Sequence, residues 1–406
     1  MSMSEPINPQ FVRAIAASIT HWQRQTTATD ERTIQSLDKE RQNLNRAVNY
    51  GLQLAETWQE TAVVVLQTFH LAERRGYWQE WISLLQTAAA DCPPDNPTLK
   101  AELLNRLGEL YRADRQLPAA IEAHLRAEKI VEPTDQKHLR HRIWFNLSTD
   151  YVVSHQYEAA ERYGRQALAG FIANNAPLEN QAKTLNTLGM VAWWRGQLDL
   201  AEAQLQEAVA LWRKAEQPTE LLRALNNLMG ALKAAKKYEA LWPCYEEATA
   251  CFPLVSGEFE KTLIEVNLGG ALFEQERYAE AETMFHRANS IYLQQSPNLY
   301  YRALVAQCLG NTLLKQNRLV EAMSYLGESA NLWRQSDDNL MLANTLGTMG
   351  ELYALQGQLA QASTFFAEAL DLLTRYPDNA WAKKLLADFS QQRQALSGDG
   401  QAAGPQ

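Results

Sequence analysis

Apolar residues recur along this chain with two superposed periods, that of a helix turn and a longer one of some forty positions. In "NTLGMVAWWRGQLDLAEAQLQEAVALW", residues 186–212, the short period is plain. Leu185, Leu188 and Ala192 fall at i, i+3 and i+7, one stripe of an amphipathic helix. "RGQ" interrupts, with Gly196 suited to a helix end. Leu198, Ala201, Leu205, Ala208 and Trp212 then make a second stripe. Each such unit predicts two antiparallel helices joined by a short turn.

The long period is marked by a residue that follows an "NL" or "TL" pair. The markers are Phe69, Gly108, Ser148, Gly189, Met229, Gly269, Gly310 and Gly350, and their intervals never stray by more than one position from forty. A second ladder runs at a fixed offset behind the markers from Gly108 on: Val131, Phe171, Trp212, Phe252, Tyr292, Trp333 and Leu373. Every rung is large and apolar. Small residues such as Gly189, Ala201 and Ala208 stand where two helices cross closely. One hairpin cannot bury its own apolar face, so hairpins of this kind stack.

The pattern resembles the tetratricopeptide repeat family. In "TMGELYALQGQLAQASTFFAEAL" the matching residues are Gly350, Tyr353, Ala362, Phe366 and Ala369. The resemblance covers about 101–375 as seven units, with a weaker unit around 62–91. The period is longer than that of the common unit of the family, and Ser148, Gly164 and Met229 depart from the consensus. The fold it implies is all-α, a right-handed α-solenoid of antiparallel helix pairs.

The N-terminal part does not follow the repeat. "INPQFVRAIAASITHWQRQ" and "TIQSLDKERQNLNRAVNYGLQLA" each read as one amphipathic helix. The latter part, with "HLAERRGYWQEWISLLQTAA", resembles the start of the helical-repeat sensor arm of STAND-type signalling ATPases. No GxxxxGK[ST] loop is present, so the resemblance implies a sensor arm without its nucleotide-driven motor. A plain cap for the solenoid is the alternative. The boundaries expected are a flexible start at 1–6, a helical cap at 7–56 and an array of about eight helix pairs at 57–375. A capping helix follows at 376–396, with Trp381, Leu385 and Phe389 facing the last repeat, then a disordered tail at 397–406.

Composition narrows the function. The 406 residues carry a net charge of −9, which disfavours general nucleic-acid binding, a process driven by neutralising phosphates. No apolar run approaches the ~20 residues that span a bilayer. The start lacks a basic-then-apolar leader, so a cytoplasmic location is expected. Cys92, Cys244, Cys251 and Cys308 form no CxxC pair and read as small buried or half-buried thiols in a reducing cytosol. No HExxH, GxSxG or Cys–His signature appears, so no enzyme, metal or cofactor is expected. His138 and His141 read as surface helix histidines.

Binding has positive signals. In the resembled fold, the first helix of each pair lines an inner, concave wall. There the cations Arg142, Lys183 and Arg223 recur at one offset before the marker. Asn105, Asn146, Asn186, Asn226, Asn227 and Asn267 form a row beside them, and Arg112, Trp193, Lys233 and Phe273 follow the marker by four. Asparagine both donates and accepts, so the row pairs either with the main chain of an extended peptide or between neighbouring repeats. The cations either select an acidic segment of the partner or balance acidic second helices such as those of Glu202 and Glu207. Adjacent Trp193 and Trp194 point about 100° apart, so Trp193 is expected on the groove and Trp194 in the core. The later wall, with Leu263, Val266, Phe273, Leu304 and Leu314, is expected to be apolar and to take a hydrophobic anchor. The expected function is a non-catalytic scaffold for a protein or peptide partner. The alternatives are a regulatory, sensor or inhibitor subunit of a separate effector (a protease or transcription regulator), or a small-molecule sensor.

Overall fold

A computed structural model describes residues 8–26, 30–255, 258–293, 299–377 and 379–398. Among them there is no strand; the fold is all-α, built of antiparallel helix pairs. The chain divides into two compact units, residues 1–187 and 188–406.

The first unit opens with α1 (Pro9–Gln25), α2 (Glu31–Lys39), α3 (Arg41–Leu52), α4 (Trp58–Gln67), α5 (Phe69–Arg75) and α6 (Trp78–Ala90). The single helix predicted across 33–55 is therefore two, separated at Glu40. The reason is that α2 packs on α5 while α3 packs on α1, α4 and α6, and one straight rod cannot serve both sets of neighbours. Regular hairpins follow: α7 (Pro97–Ala113) with α8 (Leu117–Val131), then α9 (Lys137–Val153) with α10 (Tyr157–Ala173). The first part of α11 (Leu178–Trp194) completes the unit.

The second unit contains the rest of α11 and α12 (Leu198–Lys214), α13 (Pro218–Ala234) and α14 (Tyr238–Cys251). It continues with α15 (Glu258–Glu274) and α16 (Tyr278–Leu293), α17 (Leu299–Lys315) and α18 (Leu319–Gln335), and α19 (Asn339–Leu355) and α20 (Leu359–Leu373). The last helix, α21 (Ala380–Gly398), sets Phe389 against Phe366, with ring centroids 5.9 Å apart. Ser397 and Gly398, expected in the disordered tail 397–406, belong to this helix instead; the rest of that tail and the expected start 1–6 lie outside the described residues.

The markers are points of close helix contact. A methyl group built on Gly269 would sit 2.6 Å from Phe285, and one on Gly310 would sit 2.6 Å from Leu326. Both partners stand at the same offset behind their marker, so a small residue in the first helix of the pair receives a large one from the second. The second ladder is core: Val131, Phe171, Trp212, Trp333 and Leu373 are buried. Phe252 is half-buried, and the Tyr292 side chain lies outside the described residues.

Hairpin turns reverse through one left-handed residue seven positions after the marker. It is glycine at Gly196 (φ 76) and Gly357 (φ 73), but Arg115, His155, Lys236, Glu276 and Asn317 adopt φ of 58–63 at equivalent places. At Arg115 the Gln116 N–H donates to the Tyr111 carbonyl and the Arg115 N–H to the Arg112 carbonyl. This pattern satisfies the last carbonyls of the helix. Turn geometry thus persists where glycine does not.

Candidate functional site

In the first unit, the wall built by α5, α7, α9 and α11 frames a cleft of about 330 Å³. Arg112, Arg142, Asn146 and Lys183, all expected wall residues, line it together. Arg106, Glu109, Phe145 and Asn180 line it too, and the sequence reading did not single them out. Arg106 and Glu109 stand two before and one after the marker, so the period places them on the wall; their pairing has no sequence signal.

The asparagines lie otherwise than as an open ladder. Asn105 is fully buried and Asn146 nearly so. The Asn146 amide donates to Asn105 Oδ1 and to Glu109 Oε1, both at 2.9 Å, and the Asn105 amide donates to Glu109 at 3.1 Å. The reading as repeat-to-repeat bonds holds for this pair. A buried amide left unpaired costs about 1–3 kcal/mol, so these bonds take precedence over a ligand. Asn186 is half-buried on the same helix as Lys183.

The Glu109 carboxylate stands among the cations of the cleft. Burial pushes its acidity toward the neutral form, but Arg106, Arg112 and the Asn146 amide outweigh burial and hold it below the usual carboxylate range. Arg112 continues the network: its guanidinium donates to Asp150 Oδ1 at 2.7 Å and to the Asn146 carbonyl at 3.3 Å. Asp150 is fully buried beside His124, also fully buried. His124 Nδ1 is 2.6 Å from Asp150 Oδ2 and its Nε2 is 3.0 Å from the Asn105 carbonyl. Both ring nitrogens meet acceptors, and each bond forms when its nitrogen carries hydrogen.

Arg142 is engaged as well, donating two bonds to Glu102 at 3.2 and 3.0 Å. Lys183 differs. It is exposed, and no carboxylate among the described residues pairs with it.

The second unit holds the other expected residues. Arg223 donates to Glu260 and Glu220, so it too is paired within the chain. Asn267 donates to Asn226 Oδ1 at 2.7 Å, and Asn226 donates to Asn227 at 3.3 Å. Lys233 reaches Asn267 Oδ1 at 3.5 Å and lies over Gly270, where a methyl group would sit 2.9 Å from its ammonium. Phe273 packs edge-on against Tyr278.

Several expectations are corrected by packing. Trp194 is 41% exposed and does not enter the core. Trp193 lies on Gly230, which offers room for its ring, and Trp194 stacks outside it at 5.5 Å with planes 13° apart. His141 is buried, not a surface residue: its ring fills the space over Gly170 and meets Phe171 edge-on at 5.8 Å. Burial, then the charges of His138, Arg140 and Lys137, lower its proton affinity. On the apolar wall, Val266 and Leu314 are buried and offer little surface to an anchor; Leu263 and Leu304 are half-buried.

Chemistry is quiet. Among the described residues no group of three or more His, Cys, Asp or Glu is arranged to hold a metal ion. Burial raises the Cys92 and Cys251 thiols and pushes Cys244 and Cys308 up to about 11, which disfavours thiolate nucleophiles. No described helix is long and apolar enough to cross a membrane.

Comparison with known proteins agrees with this architecture. Residues 301–375, 181–218 and 266–293 match the tetratricopeptide repeat family, and the chain carries these repeats. No curated protein is significantly similar in sequence. Solved structures share the fold. The apo form of the quorum sensor NprR from B. thuringiensis matches with a TM-score of 0.64 at 13% identity, over 89% of this chain and 99% of that one. The apo form of RapI matches with 0.61 at 13% identity, over 88% and 97%. Aspartyl phosphate phosphatase F from Bacillus subtilis matches with 0.59 at 14% identity, over 93% and 97%. At such identities the likeness is one of fold.

Proposed function

We propose that this chain is a non-catalytic scaffold that binds a protein or peptide partner on the wall of first helices in residues 1–187. The observation that supports it is the cleft itself. Four successive wall helices converge on one concavity that combines an exposed cation, Lys183, with the aromatic Phe145 and the amide of Asn180. A preformed surface of this kind recognises a partner without bond chemistry. The guanidiniums of Arg106, Arg112 and Arg142 already have carboxylates, so they shape the cleft, and Lys183 is the cation offered to an acidic group of the partner.

The test compares wild type with Lys183→Glu and Phe145→Ala as baits in lysate of the native host. Captured partners are then mapped by hydrogen exchange on the purified complex. The expected result is a partner lost by both variants and protecting α9 and α11. Equal recovery by all three baits, or protection confined to other helices, overturns the reading.

A further inference from the structure

The charges of the cleft are paired in its middle and exposed to solvent at its ends. Arg106 sits 2.8 Å from Glu109 and 3.4 Å from Glu102; Arg112 sits 2.7 Å from Asp150; Arg142 sits 3.0 Å from Glu102. At the α5 end stands Glu73, whose side chain is 58% exposed; His70 Nδ1 lies 3.4 Å from it, and the Arg106 guanidinium, already shared by Glu109 and Glu102, also attracts it. At the α11 end stands Lys183, exposed and unpaired among the described residues. Both line the same concavity. A carboxylate at one end and an ammonium at the other make the cleft a dipole.

From this arrangement we propose that the cleft is a polarised site for an extended peptide segment, taking a basic group at Glu73 and an acidic group at Lys183. The inference rests on the peptide-binding reading above and adds the charge pattern of the ligand. Between the ends, Phe145 offers a half-buried aromatic face to an apolar side chain, and the Asn180 amide can both donate to and accept from a main chain. Packed helices lie about 8–10 Å apart, so the three steps from α5 to α11 span roughly 25–30 Å. An extended chain rises about 3.3 Å per residue, so about eight or nine residues reach from one charge to the other. The neutral middle has a consequence for selectivity. A uniformly acidic segment gains at Lys183 but meets Glu73, whereas a segment with opposite charges at its two ends gains at both.

The test uses a display library of random nine-residue peptides, selected in parallel on the full-length protein and on the Glu73→Lys/Lys183→Glu double variant. Both substituted positions are exposed, and thermal melts check that the variant folds. The expected result is wild-type selection of peptides with basic residues toward one end and acidic residues toward the other. The double variant then selects the opposite pattern relative to the apolar residue that seats on Phe145. For a synthetic winner, Lys183→Gln and Glu73→Gln should each weaken binding about tenfold, and these neutral variants carry the test if the double variant does not fold. Enriched peptides without polarity, or winners indifferent to both neutral variants, overturn the polarised site and leave peptide binding standing. No enrichment on wild type overturns the peptide site, and the scaffold reading then stands or falls on the capture test above.

Discussion

The amide of Asn146 donates to the side-chain oxygen of Asn105, 41 residues earlier, at 2.9 Å, and the pair is buried. Two wall positions of neighbouring repeats are thereby joined to each other and, through Glu109, to Arg106.

This pairing predicts a stability cost. Asn105→Ala or Asn146→Ala leaves buried polar groups without partners, and each should destabilise the first unit by about 1–3 kcal/mol. The double variant should lose less than the sum, because the two residues share one network. Urea denaturation of the four proteins measures this. An unchanged midpoint in both single variants would return the amides to the groove.

Glu265 predicts a dependence on pH. It is fully buried in the second unit, and burial raises its carboxyl above the ordinary 4.5, against the opposing charge of Arg287 at 2.8 Å. A group raised in the folded state contributes stability below its unfolded value and loses that contribution as pH rises through its folded value. Above that folded value the charged side chain is therefore a net cost. Glu265→Gln should raise Tm at pH 7, and its advantage over wild type should shrink as the pH falls toward 4. A lower Tm at pH 7 would mean that the Arg287 pair outweighs burial.

The turns predict a gain. Lys236 holds a left-handed backbone, φ 58, at the position that is glycine in Gly196. Lys236→Gly should stabilise by about 0.5–1 kcal/mol through relief of the Cβ contact, and Gly196→Ala should cost a similar amount. Calorimetry on both variants decides it; Lys236→Gly melting at or below wild type contradicts the account.

Much of the fold was legible along the chain because burial repeats with the helix. Gly269 and Gly310 mark close crossings in sequence and in space, and Trp333 is a rung in both. The candidate site was legible only as columns. Arg142 and Arg223 stood out as a cationic row, but Glu102, which pairs with Arg142, and Glu260, which joins the local Glu220 on Arg223, lie 40 and 37 residues away, outside any local pattern. Trp193 and Trp194 were assigned by angle alone, and the room over Gly230 reversed the expected burial of Trp194.

The sequence by itself determined helices, hairpins, their period and the face each turns inward, because apolar spacing records which side of a helix leaves water. Tertiary structure decided which polar residues remain available. A side chain's free valences depend on what the next hairpin places within about 3 Å of it. That distance, set by packing, closed Asn105, Arg142 and Arg223 and left Lys183 open.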